Sequence, residues 1–129
     1  MQKEITDLDD IKLLVDTFYG NIRENELLAP IFNAVIKDRW PQHLEKMYRF
    51  WQTVLLDDHT YYNSPFPPHA KLPVTQQHFD TWLKLWHLTI NENFTGKLAE
   101  EAKWRGNKMA IMFLNKIQYY SSRSSEPLI

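Results

Sequence analysis

Apolar side chains recur every three or four residues along most of this chain, and this spacing restricts the fold more than any other feature. In the first such stretch, DDIKLLVDTFYGNIREN, one helical stripe is formed by Ile11, Leu14, Val15, Phe18 and Ile22. Acidic residues stand near its start, where the partial positive charge of a helix N-terminus favours them. No stretch shows the alternation of a strand, so the pattern predicts an all-α fold of roughly five or six helices.

The same spacing predicts the later helices. ELLAPIFNAVI suggests one or two short apolar turns interrupted by Pro30, and a longer helix starts near Pro41 because proline is tolerated in a first helical turn. Another helix follows Thr75, a good N-cap residue, with Val74 and Phe79 at the spacing of a hydrophobic staple across it. A last helix runs through KLAEEAKWRGNKMAIMFLNKIQYY.

Length and composition limit the classes of protein to which this chain can belong. The 129 residues fit one domain, which we expect over residues 1–120, with a loose tail over 121–129. The formal net charge of −1 and the lack of a basic cluster argue against nucleic acid as a partner. The chain has no cysteine, which excludes thiolate metal sites. Without a signal-peptide pattern or a long apolar run, we expect a cytoplasmic location and no membrane partner.

One histidine stands among four prolines in SPFPPHAKLP, residues 64–73. The proline run limits how far the imidazole of His69 can move. An imidazole on a rigid segment, an apolar slot and a few polar groups opposite it are what a haem requires. Tyr19, His43 and Trp82 lie on three predicted helices and can supply the polar groups. The apolar candidates for the slot are Phe32, Met47, Phe50, Leu72, Phe79 and Leu83.

Each candidate also has a simpler interpretation. A single histidine in a loop, such as His69, is more often solvated than bound to a metal. Trp82 on an apolar stripe can be ordinary core, and Tyr19 can turn its hydroxyl to water. His43 stands at the start of a helix and can lie on the surface. From these residues alone, a haem or another flat ligand is indicated without being established.

Other sites have weaker signals. His59, His69 and His78 lie in one region, but no pair has the i, i+4 spacing of a helical zinc motif. Ser64 lacks the strand–turn–helix context of a nucleophile elbow. PFPPHAKLP has prolines three residues apart, as polyproline ligands do, although this spacing is common by chance.

Five blocks of the sequence resemble the truncated haemoglobins, specifically their third group. In order, they are FYGNIREN, LAPIFN, PQHLEKMYRFW, PPHAKLP and FDTWLKLW, spread between about Leu14 and about Ile117. No single block is specific to this family, but the order and spacing of the five blocks together are. The chain lacks the paired-glycine motifs of the other truncated groups, which agrees with assignment to the third group. The resemblance implies a shortened globin in which two antiparallel helix pairs sandwich haem b.

The resemblance also implies roles for individual residues on both sides of the haem. His69 matches the proximal histidine, which is the axial ligand of the iron. Tyr19 and Trp82 match the polar positions that contact a bound ligand on the distal side, and both can donate a hydrogen bond to it. His43 matches the distal histidine.

The walls of the haem pocket follow from the same resemblance. Phe32 matches the aromatic residue on the haem face, and Trp51 matches a buried tryptophan typical of the group, with Met47 and Phe50 completing the wall. Relatives often carry lysines just before the proximal histidine, where this chain has two prolines at residues 67 and 68. Contacts to the haem propionates must then come from elsewhere, and the candidates are Lys71 and Arg49.

Three functions remain open. The resemblance favours a haem protein that binds dioxygen or another diatomic ligand such as carbon monoxide or nitric oxide. In the same family, the Tyr19–Trp82 pair can assist peroxidase-like or nitric-oxide-detoxifying chemistry, including nitric oxide dioxygenase activity, which needs an unidentified reductase. The third alternative is a haem-free helical interaction domain that docks through its proline-rich loop, against which the retained His69 argues.

Overall fold

Five α-helices build the part of the chain that the computed structural model describes, namely residues 2–61 and 73–125, with side chains up to 119. They are α1 (Leu8–Glu24), α2 (Ala29–Ile36), α3 (Trp40–Leu56), α4 (Gln76–Asn93) and α5 (Lys97–Ser125). Over these ranges, strand-like pairing is limited to an isolated bridge between Lys3 and Phe94. The prediction of an all-α fold is confirmed.

The first helix begins at a side-chain cap. The Asp7 carboxylate accepts a hydrogen bond from the backbone N–H of Asp10 at 3.1 Å, which satisfies one of the free donors of the first turn. The predicted apolar stripe of α1 is buried along its length, at Ile11, Leu14, Val15, Phe18 and Ile22. Burial of this stripe is what holds α1 in the core.

Prolines begin the next two helices. Pro30 lies in the first turn of α2 and Pro41 in the first turn of α3. Their missing N–H groups cost nothing there, because first-turn donors have no partner within the helix. The prediction for Pro41 is confirmed. The expectation that Pro30 interrupts a helical stretch is wrong, because it starts α2 instead.

The helices form two antiparallel pairs. In the first pair, the ring of Tyr19 on α1 lies 5.0 Å from that of His43 on α3. Earlier on α1, Asp16 accepts a hydrogen bond from Tyr48, which comes later on α3. Residue numbers therefore fall along α3 as they rise along α1, and the two helices run in opposite directions.

The second pair consists of α4 and α5. Trp86 Nε1 on α4 donates to the carbonyl of Ala102 on α5 at 2.9 Å, and Phe79, two turns earlier, packs against Phe113. Phe18 of α1 joins the two pairs, because its ring contacts Trp86 with the centroids 4.9 Å apart. This arrangement agrees with the expected two-over-two fold.

The last helix is longer than the sequence pattern predicts. It continues to Ser125, so the first five residues of the expected tail, 121–125, are helical backbone. The sequence has no glycine or proline between Gly106 and Pro127, and nothing in it ends the helix earlier. None of the helices within 2–61 and 73–125 is both long and apolar enough to cross a membrane.

The N-terminal segment is hydrogen-bonded to the residues at the end of α4. The backbone N–H of Lys3 donates to Asn93 O at 3.2 Å, and the N–H of Thr95 donates to Lys3 O at 2.9 Å. The Lys3 ammonium group donates to the buried carboxylate of Asp10 at 2.5 Å. The segment before α1 is therefore tied both to α1 and to the turn between α4 and α5.

Candidate functional site

A slot opens between the two helix pairs. The cavity itself measures about 100 Å³ and opens to solvent at a mouth. The lining is almost entirely apolar and comes from all five helices and the residues just before α2 and α4. The slot can therefore take a flat apolar ligand whose edge reaches the mouth.

Two polar rings meet in the wall formed by α1 and α3. Tyr19 and His43 lie 5.0 Å apart, with their planes at 89°. Tyr19 is buried, and burial raises the pKa of its hydroxyl well above the usual value, so the phenol keeps its proton and remains a donor. His43 is half-buried and its Nε2 is shielded from solvent. Both residues line the slot, so His43 does not simply lie on the outer surface.

A third polar group reaches the slot from α4. Trp82 is half-buried and lines the cavity together with Tyr19 and His43. The ring of Phe18 contacts both Tyr19 and Trp82. Its centroid lies 5.1 Å from the centroid of the Tyr19 ring and 5.3 Å from that of the Trp82 ring. The structure thus brings the three polar candidates from three helices to one apolar slot.

Most of the apolar candidates line the same slot. Those that do are Phe32, Met47, Phe50, Trp51 and Phe79. Leu83 is half-buried on α4 but is not among the described lining residues, because it lies one residue beyond Trp82 and so on a different face of the helix. Arg49 is also outside the lining. Its Nε donates to Glu45 at 2.9 Å and its Nη1 donates to Gln52 at 3.0 Å.

Further lining residues were missed as site residues by the sequence analysis. They are Phe18, Leu28, Val74, His78, Met109, Ala110 and Phe113. Most are apolar residues of helix stripes, and no sequence signal separates a residue that faces a cavity from one that faces a neighbouring side chain. His78 had a usable signal, because it stands one helical turn before Trp82 and so on the same face of α4.

His78 is also part of the N-cap of α4. Thr75 is the N-cap residue, as predicted, and its backbone N–H donates to Nδ1 of His78 at 3.0 Å. His78 thereby takes the place that a glutamate or glutamine has in a capping box. Since Nδ1 accepts this bond, the neutral ring carries its proton on Nε2. His78 thus both caps the N-terminus of α4 and lines the slot.

Three of the predicted residues lie outside the described part of the chain. They are His69, Lys71 and Leu72, which fall within residues 62–72. Their roles remain predictions. Among the residues that are described, no group of three or more histidine, aspartate or glutamate side chains could hold a metal ion.

Comparison with known proteins identifies the class. The family model described as bacterial-like globin matches residues 4–115, and the chain belongs to this family. The chain is similar to the group 3 truncated hemoglobin ctb of Campylobacter jejuni, with 30% identity over 124 residues that cover 93% of this chain and 98% of that protein. Within the globins, the chain is therefore a truncated haemoglobin of the third group.

A solved structure supports the assignment to the globin fold. The crystal structure of the group III truncated hemoglobin from Campylobacter jejuni superposes with a TM-score of 0.83 at 30% identity. The match covers 91% of this chain and 95% of that one. The helices described above therefore form an all-α globin fold, and membership of this family supports haem-based ligand binding in general.

Proposed function

We propose that this chain holds haem b in the slot and binds a diatomic ligand there, with dioxygen as the expected one. The observation that carries the proposal is the convergence of Tyr19, His43 and Trp82, from α1, α3 and α4, on a slot that is otherwise apolar. An apolar slot with a few placed polar groups is the usual form of a cofactor site. The residues present therefore fit a haem.

The polar side chains determine which ligand is favoured. Haem supplies an iron centre that takes up small diatomic molecules. The Tyr19 hydroxyl and the Trp82 indole N–H are donors, so they stabilise a ligand that gains negative charge on binding, as dioxygen does, more than a neutral one such as carbon monoxide. A hydrogen bond to a charged group contributes about 1.5–3 kcal/mol, and the apolar surroundings keep competing water away.

We propose that the imidazole of His69 would hold the iron of the haem. The support is the match of PPHAKLP to the family's proximal block, together with the stiffness of a proline-rich segment. The second ring nitrogen of an iron-bound histidine usually donates to a carbonyl or carboxylate, and such a bond would fix the tautomer of His69. Because Arg49 is engaged by Glu45 and Gln52 on its own helix, Lys71 is the better candidate for a propionate contact.

Absorption spectra of the purified protein test the proposal. We would record the ferric, dithionite-reduced and carbon-monoxide-bound forms after reconstitution with haemin, for the wild type, His69→Ala and a control, His59→Ala. The side chain of His59 is exposed beside Asp57. The expected result is stoichiometric binding with a spectrum typical of a neutral imidazole ligand, lost in His69→Ala and kept in His59→Ala.

Two outcomes would contradict the proposal. A protein that takes up no haem would favour the alternative of a helical interaction domain. A haem spectrum that is identical in His69→Ala and in the wild type would keep the cofactor and remove His69 as its ligand.

A further inference from the structure

Three tryptophans stack in series beside the slot: Trp82 and Trp51 both line it, and the buried Trp86 lies between them. The ring of Trp82, in the wall of the slot, lies 5.9 Å from that of Trp86, with the planes at 17°. The ring of Trp86 lies 4.6 Å from that of Trp51, with the planes at 26°. Most other aromatic pairs around them meet edge to face, as Phe18 does with both Trp82 and Trp86. The stack is therefore a distinct feature and not the general packing of this core.

The middle ring of the stack is held firmly. Trp86 is buried and its Nε1 donates to Ala102 O at 2.9 Å. Gly106 on α5 leaves the space for the edge of this indole, since a Cβ at that position would stand 2.6 Å from Cδ1 of Trp86. A glycine inside a helix is unfavourable by roughly 1 kcal/mol relative to alanine, and here its lack of a side chain makes room for the stack.

The stack continues to a tyrosine near the surface. The ring of Phe50 contacts Trp51 at 5.1 Å and Tyr61 at 5.4 Å. Tyr61 is half-buried, and its backbone N–H donates to Thr53 Oγ1 at 3.0 Å, which fixes it beside α3. Phe50 and Trp51 also line the slot, so ring contacts join the half-buried Tyr61 to the slot at Trp51 and, through Trp86, at Trp82.

We propose that Trp82, Trp86 and Trp51 form a relay that carries electrons from Tyr61 to the slot when a peroxide is reduced there. This inference rests on the proposed haem function and adds an activity to it. Indole and phenol are the most readily oxidised aromatic side chains, and electron transfer between rings in contact is far faster than between separated rings. Phe50 is not itself oxidised and acts only as the contact between Trp51 and Tyr61.

The electrons and protons balance with an external donor. Hydrogen peroxide takes up two electrons and two protons and yields two molecules of water. Each electron leaves Tyr61, whose phenolic proton passes to solvent and whose ring is left as a neutral phenoxyl radical. A one-electron donor of the ascorbate or small-phenol class then returns an electron and a proton to Tyr61. Two such cycles reduce one molecule of peroxide.

The chain contains a matched tryptophan outside the relay. Trp104 is 49% exposed on α5, and Arg105 and Lys108 lie 5.3 Å and 5.4 Å from its ring centroid. Two positive charges beside a ring disfavour the loss of an electron from it. Trp104→Phe therefore removes an indole that belongs neither to the stack nor to the lining of the slot.

The relay can be tested without haem. The natural chain has no cysteine, so Lys84→Cys provides a single attachment point for a ruthenium polypyridyl photo-oxidant on the exposed side of α4, between Trp82 and Trp86. After a flash, transient absorption should show a tryptophan radical followed by a tyrosyl radical. Tyr61→Phe should abolish the tyrosyl signal. Trp86→Phe, and independently Trp51→Phe, should remove most of it.

The same variants are then compared in the haem-loaded protein treated with hydrogen peroxide, with a nitroso spin trap and peptide mapping to locate the radical. We expect the adduct at Tyr61, lost in Trp51→Phe, lowered in Trp86→Phe because Trp51 still lines the slot and only the branch from Trp82 is broken, and retained in Trp104→Phe. A flash-generated Tyr61 radical that is unchanged without Trp86 and Trp51 would overturn the relay. A relay active after the flash but silent with peroxide would overturn its role in peroxide reduction, while the haem spectra separately decide the proposed function.

Discussion

Gly106 of α5 lies directly against the indole of Trp86, so that a Cβ at residue 106 would stand 2.6 Å from Cδ1 and 2.7 Å from Nε1. We expect Gly106→Ala to lower the free energy of unfolding by up to about 2 kcal/mol. The forced shift of a well-packed indole costs about 1–3 kcal/mol, and the better helix propensity of alanine returns roughly 1 kcal/mol of it. Urea unfolding followed by tryptophan fluorescence measures this difference.

Gly20 is the control for that substitution. It is exposed on α1, and a Cβ there would meet nothing within 4 Å. Gly20→Ala should therefore raise the stability by about 0.5–1 kcal/mol, through helix propensity alone. Equal effects of the two substitutions would show that the close approach of Gly106 to Trp86 does not matter for stability.

The second prediction concerns the N-terminal tie at Asp10. Burial raises the pKa of this carboxyl, but hydrogen bonds from Lys3 and Thr6 outweigh it and lower the pKa from 3.8 to about 2. A carboxyl whose pKa is lower in the folded protein stabilises the fold above its unfolded pKa. We therefore expect Asp10 to contribute about 2 kcal/mol near neutral pH, a contribution lost as the pH falls from about 4 to about 2.

Asp10→Asn isolates this contribution. The free energy of unfolding should differ between the wild type and the variant near neutral pH, and the two curves should converge only below about pH 2. Asp9→Asn is the matched control, because Asp9 is an exposed acidic residue in the same turn of α1. A difference between wild type and Asp10→Asn that persists unchanged at low pH would contradict the electrostatic origin of the effect.

The sequence was sufficient to predict the helices but not every boundary. The stripe through Ile11, Phe18 and Ile22 predicted α1 because a buried helix face has a period that is visible in one dimension. The N-cap at Thr75 was visible for the same reason, since a cap depends on neighbouring residues. Pro30 was misplaced because the sequence of a short helix does not show whether a proline starts or breaks it.

The site was predictable in part from the helix pattern and in part from the family resemblance. Both pointed to Tyr19, His43 and Trp82, the helix pattern alone pointed to Phe79, and all four line one slot. The stacking of Trp51 on Trp86 has no signal in the sequence, because it depends on how α3 crosses α4. Long-range contacts of this kind follow from tertiary packing, whereas periodicity reports only which face of each helix is buried.

The third prediction concerns the N-cap of α4. We expect His78→Ala to lower the free energy of unfolding by about 0.5–1 kcal/mol, because the backbone N–H of Thr75 loses its acceptor at Nδ1. His78→Glu should retain most of the stability, since glutamate three residues after a threonine completes a standard capping box. Amide exchange in the first turn of α4 measures the local effect directly. Equal stability of the two variants would mean that the bond from Thr75 to His78 contributes nothing.

The last prediction concerns ligand release and depends on the proposed function. Tyr19 is buried with a raised pKa, so its hydroxyl is a donor throughout the pH range in which the protein is studied. We expect Tyr19→Phe to speed dioxygen dissociation by roughly tenfold or more, corresponding to the loss of about 1.5–3 kcal/mol from a hydrogen bond to a charged group. Carbon monoxide dissociation should change much less, because that ligand gains little negative charge.

Stopped-flow displacement of bound dioxygen by carbon monoxide measures the first rate, displacement of bound carbon monoxide by nitric oxide measures the second, and Tyr48→Phe is the matched control. Tyr48 donates to Asp16 at the exposed edge of α1 and α3, away from the lining of the slot, so its removal should leave both rates unchanged. A selective rise in the dioxygen rate in Tyr19→Phe assigns the effect to a hydrogen bond. Equal rises for both ligands would instead mean that the phenol acts by closing the path out of the slot, because a steric barrier does not distinguish ligands by charge.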